Sequence, residues 1–220
     1  MFIVKKNPKS LSAEVYRLLR TNLEYSSIDK SLKSIVVTST EPGEGKSTVA
    51  GNLAIILGES GKKVILIDGN LRKPSLHKKF KVSNGLGLTD YLIGKCKLTD
   101  ILKKIDDNVL ILPAGNKAPN PAEIIASKSM EELIETLSEK VDVDYIIIDT
   151  PPVKHVADAV VLSGKCDGTI VVVKSGLTKA KDLTNVLGEL EKVRANIIGT
   201  VLNGVQKNKK DYYNYYYGDD

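Results

Sequence analysis

Two glycines, a lysine and two hydroxyls fall within six positions, Gly43-Glu44-Gly45-Lys46-Ser47-Thr48, just after the apolar run Ser34–Thr38 and just before a stretch with helical spacing. In this strand, loop, helix context, backbone N–H groups converge on phosphate oxygens and a helix N-terminus adds positive potential. Lys46 is placed to reach the β- and γ-phosphates of a nucleotide, and Ser47 to offer its hydroxyl to Mg²⁺. All six residues are therefore candidate nucleotide contacts. The generic pattern has glycine at position 40, where this chain has Thr40.

Two further apolar runs end in carboxylates. Val64–Ile67 leads into Asp68-Gly69-Asn70-Leu71-Arg72-Lys73-Pro74, and Tyr145–Ile148 leads into Asp149-Thr150-Pro151-Pro152. A carboxylate at a strand end beside a phosphate loop can bind magnesium, directly or through water, or accept a hydroxyl proton. Asp149 suits the metal role, and Asp68 either role. One such aspartate alone would pass for a loop cap, but three ordered motifs argue for a site. Arg72 and Lys73 follow Asp68 closely enough to assist phosphates or to contact a neighbouring tail, with plain solvation as the alternative. At the far end, five of the nine tyrosines, Tyr212, Tyr213, Tyr215, Tyr216 and Tyr217, fall within the last nine residues. Paired with the loop, they suggest an enzyme that phosphorylates its own tail. Each half alone is less specific, since phosphate loops serve many ATPases and GTPases and a tyrosine-rich end can be merely a sticky terminus.

The elements that must position these groups follow from the periodicity. Short β-branched runs at Ser34–Thr38, Val64–Ile67, Val109–Leu112, Tyr145–Ile148, Thr169–Val173 and Ile197–Leu202 alternate with helical stretches at Lys46–Gly58, Ser127–Lys140 and Leu177–Val193. Nearly continuous apolar strands predict a sheet covered on both faces, so the fold class is α/β, a doubly wound and mostly parallel sheet. Ligands of such sheets bind beyond the carboxyl ends of the strands, where every motif above sits. An N-terminal helix over Leu11–Tyr25, capped by Ser10 or Ser12, carries Glu14, Arg17 and Arg20 at three-residue spacing, a slanted charged stripe. The expected division is residues 1–30 as an oligomerisation helix, 31–206 as the nucleotide-binding domain and 207–220 as a flexible tail.

With 220 residues and 42% hydrophobic content, the chain suits one well-buried domain. No run approaches the roughly 20 apolar residues of a membrane span, and a cytoplasmic location is expected. Cys96 and Cys166 are isolated and only two histidines are present, which argues against a zinc or iron–sulfur site. A net charge of +5 with scattered lysines favours acidic partners or membrane surfaces slightly, and nucleic acid is not an expected partner.

The loop TEPGEGKST, the strand ends ILIDGNLRKP and IIIDTPP, the segments Asn84–Tyr91 and Pro113–Glu123, and the tyrosine tail closely resemble the bacterial tyrosine kinases of capsule and exopolysaccharide operons, in their short Firmicute form. That family lies within the MinD/ParA-like group of P-loop NTPases with deviant Walker motifs. The resemblance implies an ATP- and Mg²⁺-dependent tyrosine kinase in which Lys46 and Ser47 hold phosphates and metal, Asp68 serves the metal or the incoming tyrosine, and Asp149 supports the metal. It also implies that Glu14, Arg17 and Arg20 form a motif by which subunits associate head to tail in a ring. Asn203 looks like the adenine-contacting asparagine of MinD-type ATPases. The implied partners are a membrane adaptor, namely the chain-length regulator of polysaccharide export that recruits the kinase to the inner face of the membrane, and an opposing tyrosine phosphatase.

One residue departs from the family pattern. The second strand-end motif normally reads Asp-x-Asp, but its second aspartate is Asn70 here, which has no charge and cannot take a proton. Slow phosphotransfer with intact nucleotide binding is therefore expected; natural tolerance and an engineered trap would both produce such a residue. From Asn203 to Tyr217 the chain can extend on the order of 45 Å at about 3.3 Å per residue, enough for its own site or a neighbour's. The alternatives to a kinase are a MinD/ParA-like ATPase switch and a catalytically weakened adaptor. Glu41, where those switches usually have lysine, and the tail both favour the kinase.

Overall fold

The computed structural model describes residues 2–26 and 32–205. The tyrosines from Tyr212 to Tyr217 and the basic run Lys207–Lys210 lie outside the described residues. In chain order the elements are α1 (Ile3–Lys6), α2 (Leu11–Ser26), β1 (Ser34–Ser39), α3 (Lys46–Glu59), β2 (Val64–Asp68), α4 (Leu76–Phe80), α5 (Leu88–Leu92), α6 (Leu98–Ile101), β3 (Lys103–Asp106) and β4 (Val109–Leu112). There follow α7 (Pro121–Ala126), α8 (Lys128–Glu139), β5 (Tyr145–Asp149), α9 (Asp158–Ser163), β6 (Gly168–Lys174), α10 (Ala180–Lys192) and β7 (Ile197–Asn203). Among the described residues the strands form one sheet in the order β3-β4-β2-β5-β1-β6-β7, parallel throughout except for β3 against β4.

The alternation of side chains along the strands builds a core on each face of the sheet, with a third cluster where Val171 and Val173 of β6 meet Val186 and Leu190 of α10. Ile35, Val37, Leu66, Ile111 and Ile147 face α2 and α3 on one side, while Val36, Ile65, Ile67, Ile146 and Ile148 face residues of α7 and α8 on the other. Strands β1, β2 and β5 are buried along their whole length, as continuous apolar runs predict. The expectation of two covered faces fails at β7, an edge strand with Leu202 60% exposed. The sequence reading also omits β3, because Lys103, Lys104 and Asp106 give it the charged composition of an edge strand rather than an apolar run.

Helix α3 is apolar on nearly all sides and is buried from Val49 to Gly58, which fixes the helix that follows the phosphate loop. Asn52 ties the N-terminal elements to it: its Oδ1 accepts from the Val4 N–H at 3.2 Å and its Nδ2 donates to the Thr48 carbonyl at 2.8 Å. Ser10 caps α2 through the Ala13 N–H at 3.2 Å, and Ala13 and Leu23 bury the helix against the core. The segments around Asn84 and Gly115 pair with each other: the Asn84 amide exchanges hydrogen bonds with Gly115, and Asp90 accepts from the backbone and side chain of Asn116. Their role in the described residues is to lock two loops together.

Candidate nucleotide and phosphotransfer site

The site lies at the carboxyl ends of β1, β2 and β5, where the strand order brings three sequence-distant turns together. The turn from β1 to α3 needs left-handed backbone at Gly43 (φ +84°) and Gly45 (φ +99°), the conformation glycine reaches without strain. Among the described residues, the N–H groups of residues 43–47 have no acceptor within the chain, so they stay available to an anion at the start of α3. Loop residue Glu44 has a wholly buried side chain.

Asp68 and Asp149 close β2 and β5 as register partners, and Val37 of β1 pairs with Asp149 on the other side. Both carboxylates are buried. Asp68 Oδ2 accepts from the Ser75 and Leu76 N–H groups, each at 3.0 Å, while its Oδ1 and both oxygens of Asp149 have no hydrogen-bond partner. Burial pushes both above the ordinary carboxylate range. For Asp68 the backbone donors and the Lys46 ammonium oppose the shift; for Asp149, Lys46 and the Ser47 hydroxyl, which is near the carboxylate but outside hydrogen-bonding geometry, oppose it and the charge of Asp68 adds to it. The structure thus brings together Lys46, Ser47, Asp68 and Asp149.

Three buried carboxylate oxygens without donors fit a hard cation. No three His, Cys, Asp or Glu side chains converge among the described residues. A metal here would draw on two carboxylates and a hydroxyl and take its other oxygens from phosphate or water, the sparse protein ligation of magnesium.

Asn70 is nearly buried, and its Oδ1 accepts from the Lys73 N–H at 3.1 Å, so it shapes the turn after Asp68. Arg72, a candidate for the phosphates by its spacing, is engaged by a protein carboxylate. Its guanidinium is engaged by Asp158 in a bidentate pair at 2.9 and 3.0 Å, because Asp158 at the start of α9 is fully buried and requires a partner. Asn203, expected near adenine, lies against the phosphate loop, where its Nδ2 donates to the Glu44 carbonyl at 2.8 Å. On α2, Arg17 is bound to Glu14 and to the Pro8 carbonyl, while Arg20 Nε is buried, makes no hydrogen bond and lies 3.9 Å from Glu24 Oε2 in an ion pair.

Sequence reasoning misses several residues around the loop. Lys79 Nζ donates to Thr48 Oγ1 at 3.3 Å. Glu41 is paired with Lys154 and with His155, each at 2.6 Å, and Lys154 then His155 hold its carboxyl below the usual range. Thr178, within the stretch read as helical, precedes α10 and binds Glu44 instead. These contacts join residues up to 134 positions apart, and no local spacing signals them. Cys166 is half-buried, and desolvation pushes its thiol up to about 12, which disfavours the nucleophilic thiolate.

A family model described as an AAA domain matches residues 32–202. Over 97% of its length the chain is 40% identical to the tyrosine-protein kinase YwqD of Bacillus subtilis (strain 168), of which it covers 90%. The chain belongs to this tyrosine-protein kinase family. Its fold is similar to the kinase domain of the Escherichia coli tyrosine kinase ETK, with a TM-score of 0.91 and 32% identity over 94% of this chain and 81% of that one. It is also similar to the septum site-determining protein MinD of Pyrococcus horikoshii OT3, solved with Mg-ADP, with a TM-score of 0.67 and 30% identity over 81% of this chain and 73% of that one. The P-loop NTPase fold of MinD type therefore holds for this member of the kinase family.

Proposed function

We propose that this chain is an ATP- and Mg²⁺-dependent protein-tyrosine kinase that phosphorylates the tyrosines between Tyr212 and Tyr217 of its own tail, presented in trans within a ring of subunits. The observation that carries this reading is the buried pair Asp68 and Asp149, both under the electrostatic influence of Lys46, in a chain whose loop amides 43–47 have no acceptor. Phosphoryl transfer asks a protein mainly for positioning and charge neutralisation. The free N–H groups of residues 43–47 and the Lys46 ammonium supply donors and positive charge for the phosphates. Bound Mg²⁺ would neutralise further phosphate charge; Ser47, Asp149 and Asp68 are the residues to hold it. Asp68 keeps Oδ1 free, and burial raises its proton affinity, which suits it to accept a hydroxyl proton.

The stripe of Glu14, Arg17 and Arg20 would form the ring contact, since the Arg17 and Glu14 side chains are 33% and 42% exposed. Phosphorylating five tyrosines adds roughly −7.5 to −10 charges, which would expel tails from neighbouring sites and loosen the ring. An oligomer mass that stays the same after phosphorylation, by light scattering, would contradict that step. Among the described residues no helix is long and apolar enough to cross a membrane. In this reading a separate membrane adaptor that regulates polysaccharide chain length recruits the kinase. A tyrosine phosphatase would reverse the modification. Asn70 specifically favours a second reading, an adaptor with weakened catalysis.

The test is Asp68→Asn, which preserves an acceptor for the Ser75 and Leu76 N–H groups. The variant should bind MgADP yet form no phosphotyrosine. Undiminished phosphotyrosine would remove Asp68 from the mechanism.

A further inference from the structure

Glu44 places a carboxylate, fully buried, inside a loop that is otherwise shaped for anions. On electrostatic grounds that charge opposes phosphate binding. Its contacts explain what it does instead. One oxygen, Oε1, accepts from the Thr40 hydroxyl at 2.6 Å and from the Thr178 hydroxyl, and Oε2 accepts from the Glu41 N–H at 2.9 Å. The Glu44 carbonyl accepts from Asn203 Nδ2 at 2.8 Å. Thr178 in turn accepts from the Lys174 N–H at 2.8 Å. A single loop residue is therefore bonded to its own loop, to the turn between β6 and α10, and to the last residue of β7.

The departure from the generic loop pattern has its counterpart here. Glycine at position 40 would supply no hydroxyl, whereas Thr40 donates to Glu44 four residues on. The next residue, Gly45, has no room for a side chain, because a Cβ there would lie 2.1 Å from Asn203 Nδ2.

We propose that Glu44 is a positioning residue that presets the curvature of the phosphate loop through Thr40, Thr178 and Asn203. Fixing the loop before the ligand arrives reduces the ordering that binding would otherwise require. The proposal rests on the reading of this loop as the nucleotide site. It assigns Glu44 and Thr178, on different turns, to one function, and gives Thr40 a purpose.

The experiment uses the full chain and three variants, Glu44→Ala, Glu44→Gln and Thr178→Val. Glutamine keeps one acceptor oxygen for the Glu41 N–H and presents an NH₂ group to hydroxyls that can rotate to accept. Amide hydrogen exchange in the nucleotide-free protein reads loop order directly, and titration with MgADP reads its consequence. Exchange at the Glu41 N–H, the loop amide that Glu44 Oε2 accepts, should accelerate about tenfold in Glu44→Ala and Thr178→Val, with MgADP affinity falling by a similar factor, as expected for lost hydrogen bonds to a charged group. Glu44→Gln should recover most of both losses. Unchanged exchange at the Glu41 N–H in Glu44→Ala and Thr178→Val would overturn the proposal, as would a glutamine variant no better than alanine. If Glu44→Ala fails to fold, the other two variants decide. A wild-type chain that does not bind MgADP would contradict the nucleotide reading, while the exchange data would still decide the role of Glu44.

Discussion

Asp68 and Asp149 stand opposite each other at the ends of neighbouring parallel strands, both buried, with three of their four carboxylate oxygens lacking a hydrogen-bond partner. Such an arrangement works against the stability of the ligand-free chain and in favour of a bound cation, because buried like charges without donors resist ionisation. Function and stability are therefore opposed at this pair.

The pH dependence follows. Burial holds the pKa of Asp149 above its unfolded value, so between the two values the folded chain keeps a proton that the unfolded chain has released. The stability gained from that proton is fully present below the unfolded pKa and is lost as pH rises through the folded one. Asp149→Asn removes the charge and should stabilise the ligand-free chain by about 1–3 kcal/mol at pH 8, with the difference shrinking toward pH 5. Thermal unfolding at the two pH values checks this. A variant no more stable than wild type at pH 8 would contradict it.

Asn70→Asp should raise tail phosphorylation at least about tenfold, within the range of a positioned acid–base group. The aspartate keeps an acceptor for the Lys73 N–H, so the turn it shapes should survive. Phosphotyrosine formation in matched reactions is the readout, and an unchanged rate would show that position 70 is irrelevant to transfer.

Much of this site is legible in the sequence because its chemistry is local. The phosphate loop, Asp68 and Asp149 each follow a buried strand, and continuous apolar runs predict such strands well. What escapes is non-local. Arg72 looks like a phosphate ligand until α9 brings a buried Asp158 to it across 86 residues, and Thr178 looks helical until Glu44 takes its hydroxyl. Strand β3 escapes for a different reason, since an edge strand carries charge and resembles a loop.

The Arg72 pairing carries its own test. Asp158 is fully buried while the Arg72 side chain is 38% exposed, so Arg72→Ala leaves a buried carboxylate without its bidentate partner. With partial solvent screening, a loss of roughly 2–3 kcal/mol is expected in urea denaturation. Arg72→Lys should restore only part of it, because an ammonium cannot reproduce the fork. A loss confined to nucleotide affinity, with stability unchanged, would return Arg72 to the phosphates.

The most direct test of the central claim is mass spectrometry of the tail after incubation with MgATP, comparing wild type, Asn70→Asp and Lys46→Met. The kinase account predicts ATP-dependent phosphate on tyrosines between Tyr212 and Tyr217, slow in wild type, faster in Asn70→Asp and absent in Lys46→Met. Nucleotide binding with no phosphotyrosine in either wild type or Asn70→Asp would contradict it and leave a nucleotide switch in its place.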